Sequence, residues 1–538
     1  MKSTRTHRVN YMKNILLPGL VLSGAAGFFT GILIFLFKYA ASCVFKLSDK
    51  LYAIARAYPI GLLWLVLGAA VIGSLSALIL HFFPGLRGGG IPTAIAVLRG
   101  ITPIKWAANV FLLFASALLT FLCGIPLGNE GPSVQMGTAM GKGTVRAFAN
   151  KHTAWERYIM TGGACAGFAA ATAAPLSGIL FAFEEAHRRF SPMIFITSAC
   201  SVITGTAIAY DLCRVTGTSF YLFSLENIMP MPLKYAWFAL LIGVLCGVAA
   251  AVFTKLYRRV GRLVNKRLKQ IPFFVKTVII FVCVALIGYF MPLALGTGHH
   301  LADELLEGHG VWYVLILAFC VRALLLFFAN NVGISGGLFV PTLAFGAIIG
   351  ALCAMPLVNL GILPTEFFPV MVTVGMTAFM SACARTPLMS IAFALEALCG
   401  LQNVIPVILG AAIAYVTVET LGVTAFTDTV IENKAERTHK GKTATVYEAE
   451  MEVKEESFAV GKEIHDILWP PYCTVLSVHR EGVKHISPAL AGNDILHLHY
   501  LTYDNERTEL QLASILGDQE IKIISSHIQG ACDSVPEA

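Results

Sequence analysis

Apolar stretches broken by glycine and proline follow one another from about residue 15 to about residue 430. A bilayer crossing takes about 20 consecutive apolar residues. Runs of that order cover residues 15–37, 60–83, 110–127, 236–253, 275–295 and 311–329. Gly and Pro interrupt them more often than simple spanning helices would tolerate, so the pattern predicts tilted and partly spanning helices. After Ile431 the pattern changes. The stretch ENKAERTHKGKT is charged, and polar and apolar residues alternate beyond it. There, residues 443–453, 474–479 and 495–501 show the two-residue period of strands. Residues 460–468 and 507–516 read as helices, and Pro470-Pro471 and Glu481-Gly482 as turns. The expectation is an all-α polytopic membrane domain over residues 1–430, a charged linker over 431–446 and a small α/β domain over 447–530. At roughly 85 residues that last domain is large enough to fold alone.

Composition supports the membrane reading. Of 538 residues, 56% are hydrophobic and only 13% charged, and the mean hydropathy is +0.72, far from a soluble domain's mixture. Lys2, Arg5, Arg8 and Lys13 precede the first apolar run like the basic region of a signal peptide. That run exceeds a signal's apolar core of roughly 7–15 residues and lacks a small-residue cleavage site, so it reads as a retained first helix. By the positive-inside rule its basic flank lies in the cytoplasm. With a cytoplasmic C-terminal domain, the chain then crosses the cell membrane an even number of times. The thirteen cysteines are scattered singly through apolar segments, without metal-ligand spacing, and read as small buried hydrophobes. The net charge of +7 comes from flanks such as Arg258-Arg259, Arg262, Lys266-Arg267 and Lys269. It implies no nucleic-acid partner.

The chain also contains two copies of one design. GNEGPSVQMGTAMG begins at Gly128 and GLFVPTLAFGAIIG at Gly337. Gly128, Pro132, Gly137 and Gly141 match Gly337, Pro341, Gly346 and Gly350 at one constant offset, and Ser133 matches Thr342. Farther on, Gly163, Pro175-Leu176, Ile179, Phe181 and Glu184 line up with Gly375, Pro387-Leu388, Ile391, Phe393 and Glu396. The halves run over about 15–210 and 233–430. Internal duplication of this kind places an ion site near the bilayer midplane, among interrupted helices. Helices are predicted to start near Pro132 and Pro341, with glycines allowing close packing. A helix start presents unpaired amides and the positive end of its dipole, which suits an anion. Tight helix packing in a generic membrane protein is the competing explanation of any one glycine.

These residues resemble the CLC chloride channels and proton-coupled chloride transporters. Three signature segments occur in the family's order: Gly88-Gly89-Gly90-Ile91-Pro92, Gly128 to Pro132, and Gly336-Gly337-Leu338-Phe339-Val340-Pro341. The resemblance implies an inverted repeat of tilted helices and a homodimer with a pore in each subunit. It implies transport of chloride or a similar small anion, most directly in exchange for protons, with no enzymatic activity and no cofactor. Glu130 resembles the gating glutamate, which competes with the anion for the same donors and swings aside when protonated. A carboxylate in hydrocarbon costs about 2.5–3.5 kcal/mol on insertion scales, and a helix start compensates that cost. Helix capping is the bland alternative for Glu130. The amides of Leu338 and Phe339 resemble those that hold the central anion. Gly89, Gly90, Ile91, Gly131 and Thr427 fall at the other anion-lining positions. Glu185 resembles the inner proton-transfer glutamate of the exchangers; its alternative is a solvated acid paired with Arg188 or Arg189. Glu184 and Glu396 occupy equivalent repeat positions, which suits a structural role for both.

Three pore positions depart from the family's pattern. Gly89 replaces a serine whose hydroxyl contacts the anion, Thr427 replaces the pore tyrosine, and Asn129 replaces an arginine beside the gate. These departures keep an uncoupled voltage- or ligand-regulated channel open as the alternative, and nitrate or fluoride as the anion. In the tail, Ala459-Val460-Gly461-Lys462, residues 475–480, Pro488 and residues 491–496 resemble the small C-terminal domain of RCK (TrkA-C-like) regulatory proteins. That resemblance implies a cytoplasmic dimer sensing a small ligand such as a cyclic dinucleotide. A membrane sensor whose output is this tail is the competing class. His497 and His499 share a strand face and read as exposed strand histidines rather than metal ligands.

Overall fold

The computed structural model describes residues 17–88, 90–149, 153–223, 228–308, 310–439, 441–480 and 489–529. Gly89, the expected turn at Glu481-Gly482, Pro488 and the basic N-terminal flank lie outside the described residues.

The first half runs through α1 (Leu17–Ala57), α2 (Gly61–Phe82), α3 (Ile91–Leu98), α4 (Trp106–Leu122), α5 (Glu130–Phe148), α6 (Glu156–Thr172), α7 (Pro175–Phe181) and α8 (Pro192–Thr216). The second half follows the same order with α9 (Phe238–Lys266), α10 (Phe273–Phe290), α11 (His299–Leu306), α12 (Trp312–Val332), α13 (Phe339–Asn359), α14 (Phe368–Ala384), α15 (Pro387–Ala397) and α16 (Val404–Thr420). A last helix, α17 (Phe426–His439), leads out of the bundle. Among the described residues, nine helices are long and apolar enough to cross a membrane, so the chain is a multi-pass membrane protein. In each half the third and seventh helices are short, with 8 and 7 residues in the first and 8 and 11 in the second. At 1.5 Å per residue they fall well short of a crossing.

The two halves agree down to backbone conformation. α5 and α13 each start two residues before the proline that was expected to mark the start. A Cβ on Gly137 would run into the carbonyl of Gly163, and one on Gly346 into that of Gly375. The α5–α6 and α13–α14 pairs therefore pack backbone to backbone. Ala173 and Arg385, at φ 58° and 63°, end α6 and α14 in the left-handed conformation, and proline opens the next helix in both halves. Helices α8 and α14 lack the unbroken apolar runs seen elsewhere because they carry hydroxyls. Thr197 Oγ1 donates to the Met193 carbonyl at 2.9 Å, and Thr204 Oγ1 to that of Cys200 at 2.9 Å. Such back-bonding lets a polar residue sit in an apolar helix.

Residues 431–439, expected to belong to a linker, form the second part of α17. Beyond them lie β1 (Ala444–Glu452), β2 (Cys473–His479), β3 (Ile495–Thr502), α18 (Asn505–Leu516) and β4 (Lys522–Gln529). The sheet is antiparallel in the order β2-β3-β1-β4. Leu512, Ile515 and Leu516 of α18 pack on Met451, Leu496, Leu498 and Tyr500. On the other face His497 Nε2 lies 2.9 Å from Glu450 Oε1. Residues 460–468 correct the expectation of a helix, because they hold only a single turn, Ile464–Asp466. Their carbonyls are used elsewhere. Tyr158 Oη donates to Asp466 O at 2.7 Å, Arg189 to Ile467 O at 2.9 Å, and Arg157 to Leu468 O at 3.1 Å and Trp469 O at 2.5 Å. Carbonyls claimed by the membrane domain are lost to a helix. The ring of Phe458 completes the joint, 5.3 Å from Trp155 and 5.7 Å from Tyr158.

Candidate functional site

Three helix starts meet where the two halves touch. Gly128 and Gly337, equivalent in the repeat, pair across the junction: Gly128 N–H donates to Gly337 O at 2.8 Å, and Gly337 N–H to Gly128 O at 2.7 Å. This short antiparallel bridge holds α5 and α13 start to start. Gly90, at φ +61°, precedes α3 and lies so close to Gly131 that a Cβ would collide with its backbone. A Cβ on Gly337 would meet the Gly131 nitrogen. Glycine is required here because three backbones converge. The convergence gathers Gly90, Ile91, Gly131, Leu338 and Phe339 into one buried place. Leu338 and Phe339 stand at the N-cap and first position of α13, where amides have no partner within the helix. The Phe339 ring lies edge-on to Phe168 and Phe393, each at 5.0 Å, and these rings close the site with apolar walls.

Glu130 is the first residue of α5 and is fully buried. Neither carboxylate oxygen accepts a hydrogen bond of ordinary geometry, and the donors that face it are the amides of Glu130 itself and of Val340. The side chain therefore lies over both helix starts. A Cβ on Gly128 would strike Glu130 Oε2, so the glycine makes room for this folded-back conformer. Buried acids are ordinarily hydrogen-bonded. A carboxylate held only by helix-start amides can be displaced by another anion that takes the same donors.

Glu185 sits in a π-helical turn, Ala182–Ala186, after α7 and is buried. Its Oε1 accepts a hydrogen bond from Thr427 Oγ1 at 3.2 Å, and Thr427 is the second residue of α17. Two positions predicted separately, Glu185 and Thr427, are thus direct partners. Neither arginine considered as an ion-pair partner of Glu185 pairs with it. Arg188 binds Asp428 at 2.7 Å, and Arg189 donates to Ile467 O. Arg99 instead holds the turn by its backbone, donating to Glu185 O and Ala186 O at 3.0 Å each.

Glu184 and Glu396 perform a structural task in reciprocal fashion. Glu184 accepts from the amides of Leu388 and Met389 at 2.9 and 2.6 Å, and Glu396 from those of Leu176 and Ser177 at 2.7 and 2.9 Å. Each carboxylate caps the short helix of the other half. Sequence reasoning missed Lys38, whose Nζ donates to Phe220 O at 2.7 Å. It also missed Arg322, which is fully buried and donates to the carbonyls of Leu293, Leu295 and Gly296 at 3.0, 2.9 and 2.8 Å. The signal was available, since an ionisable residue inside an apolar span marks a functional site or a pinned loop.

Comparison with known proteins gives a consistent result. The profile of the family described as "Voltage gated chloride channel" matches residues 68–419. A slow cyanobacterial Cl-/H+ antiporter of known structure is 26% identical, with a TM-score of 0.72 over 78% of this chain and 99% of that one. A eukaryotic CLC transporter superposes with a TM-score of 0.64 at 20% identity, over 78% of this chain and 74% of that one. A CLC-type fluoride/proton antiporter gives 0.62 at 18%, over 76% and 97%. The last two likenesses concern the fold.

Proposed function

The chain belongs to the voltage gated chloride channel family, and from that premise we propose that it exchanges chloride for protons across a membrane, with Glu130 as the gate. The observation that carries this reading is the Glu130 carboxylate, buried without a side-chain donor where α5 and α13 start. Charged, it occupies the amide-lined place as an internal anion. Neutralised by a proton, it loses its attraction for the helix dipoles and yields to chloride. The amides of Leu338 and Phe339 then receive the ion, with the Gly90-Ile91 turn and Gly131 as the opposite wall.

Exchange is favoured over passive conduction by Glu185. It is buried and free of direct ion pairing with Arg188 or Arg189, and it is held by the Thr427 hydroxyl. A carboxylate with one weak donor can take up and release a proton without breaking a salt bridge. Protons entering at Glu185 reach Glu130, while the anion follows its own route. The 26% identity with a slow Cl-/H+ antiporter supports the same choice.

In the same reading the protein is a homodimer in the cell membrane, with both termini in the cytoplasm and an even number of crossings. The sheet domain acts as an RCK-like regulatory domain for a small ligand such as a cyclic dinucleotide. Its joint to Arg189, four residues after Glu185, suits such a role. In proteoliposomes an imposed chloride gradient drives protons uphill, and this movement is read by external pH. Chloride flux with a flat pH trace overturns the exchange. Parallel runs with nitrate and fluoride assign the preferred anion.

A further inference from the structure

Glu130 and Glu185 are surrounded by different charges. Arg99, Arg188 and Asp428 act on Glu185. The cations that act on Glu130 are Lys38 and His299. One short segment, residues 220–223, holds both of these cations. Lys38 Nζ donates to the Phe220 carbonyl at 2.7 Å and lies 5.3 Å from the centre of that residue's ring. His299 Nε2 bonds the Leu222 carbonyl, and its ring stacks on Phe223 at 4.6 Å with 10° between planes. The other ring nitrogen, Nδ1, lies 2.7 Å from Asp303 Oδ2. A carbonyl and a carboxylate only accept. The Asp303 carboxylate at Nδ1 and the Phe223 face beneath the ring both favour the charged form of His299.

Its position is tied to the gate through the backbone. Gly296 N–H donates to Gly124 O at 2.8 Å, which joins the turn before α11 to the loop that leads to Glu130. Gly298, at φ +100°, lies so close to α13 that a Cβ on it would collide with Ala344. Arg322 spends its donors on the carbonyls of that same turn. The side chains of His299 and Asp303 remain 29% and 35% exposed, so His299 meets open surface while acting electrostatically on the buried Glu130 carboxylate. Beside the gate, Asn129 is uncharged and brings no cation of its own.

Building on the anion-transport reading, we propose that Lys38 and His299 form a second anion-recognition station. It would take a small monovalent inorganic anion on its way to or from the place held by Glu130. Positive charges facing a partly dehydrated anion raise its local concentration. Asp303 orients the His299 ring through Nδ1.

The test uses the full-length protein. Chloride affinity is measured by calorimetry in detergent, and the half-saturating chloride concentration by flux in proteoliposomes. His299→Gln and Lys38→Gln each weaken affinity on the order of tenfold. His299→Arg keeps a permanent positive charge at the position and retains affinity near the wild type. Misfolding would not spare the charge-keeping variant alone. The proposal is overturned if His299→Gln and Lys38→Gln keep the wild-type affinity, or if His299→Arg weakens it as much as His299→Gln. A wild type that binds chloride but moves none overturns the transport reading instead, and the calorimetric comparison still decides on the station.

Discussion

α5 opens with Glu130, and its counterpart α13 opens with Phe339 at the equivalent position. The turn after α7 carries Glu185, where the end of α15 carries Ala397. Around these positions the two halves keep the same residues: Gly128 and Gly337 bond each other, Pro132 and Pro341 occupy the first turns, and Glu184 and Glu396 cap each other's helices. The repeated residues thus build the scaffold, and in the proposed mechanism the residues that break the repeat carry the chemistry. There, one acid at each of two sites gives a proton route with a direction. A pair of acids at both would place like charges across the Gly128–Gly337 bridge.

Experiments can press on this contrast between the repeated and the unrepeated acids. The largest effect is expected from Glu130→Gln, which removes the titratable gate: proton movement falls to background while chloride still flows in proteoliposomes. Glu185→Gln follows. Its amide oxygen can still accept from Thr427, so chloride flux persists and proton flux is lost; coupled proton transport that survived this change would remove Glu185 from the route. The repeated acids behave otherwise. Glu184→Ala and Glu396→Ala each strip two amides of their acceptor and lower stability by about 1–3 kcal/mol. The two drops, read by thermal unfolding in detergent, are of similar size, and the residual folded protein remains coupled. A variant that uncoupled transport at full stability would erase the distinction.

The smallest effect lies outside the bundle. Burial pushes the Lys462 ammonium down from 10.5 to about 7. Between those values the unfolded chain binds a proton that the folded domain does not, so stability rises with pH across that window. Lys462→Met flattens the rise, as chemical denaturation monitored at the joint through Trp469 would report.

Much of this contrast was legible in the amino-acid order. Glycine and proline at a constant offset marked both helix starts, because backbone approach and first-turn geometry leave few residue choices. The equivalence of Glu184 and Glu396 pointed to a structural role, but their reciprocal caps depend on helices about two hundred residues apart in the chain and have no local signature. The same holds for Thr427 and Glu185, and for the carbonyls of residues 466–469, whose partners lie in the membrane domain. Those carbonyls explain why an apparently helical segment holds only one turn. β4 escaped notice because Lys522, Ser525 and Ser526 break the apolar alternation. Lys38 was passed over because it ends one apolar run, and Arg322 because it sits inside another.

The central claim is that the Glu130 carboxylate and the transported anion compete for one place above the starts of α5 and α13. Bromide, which replaces chloride and scatters anomalously, locates anions directly in crystals of the wild type and of Glu130→Gln. The account predicts bromide at the Leu338 and Phe339 amides in both, and an additional bromide in the variant where the carboxylate lay. Anomalous density absent from these helix starts in both crystals would contradict it.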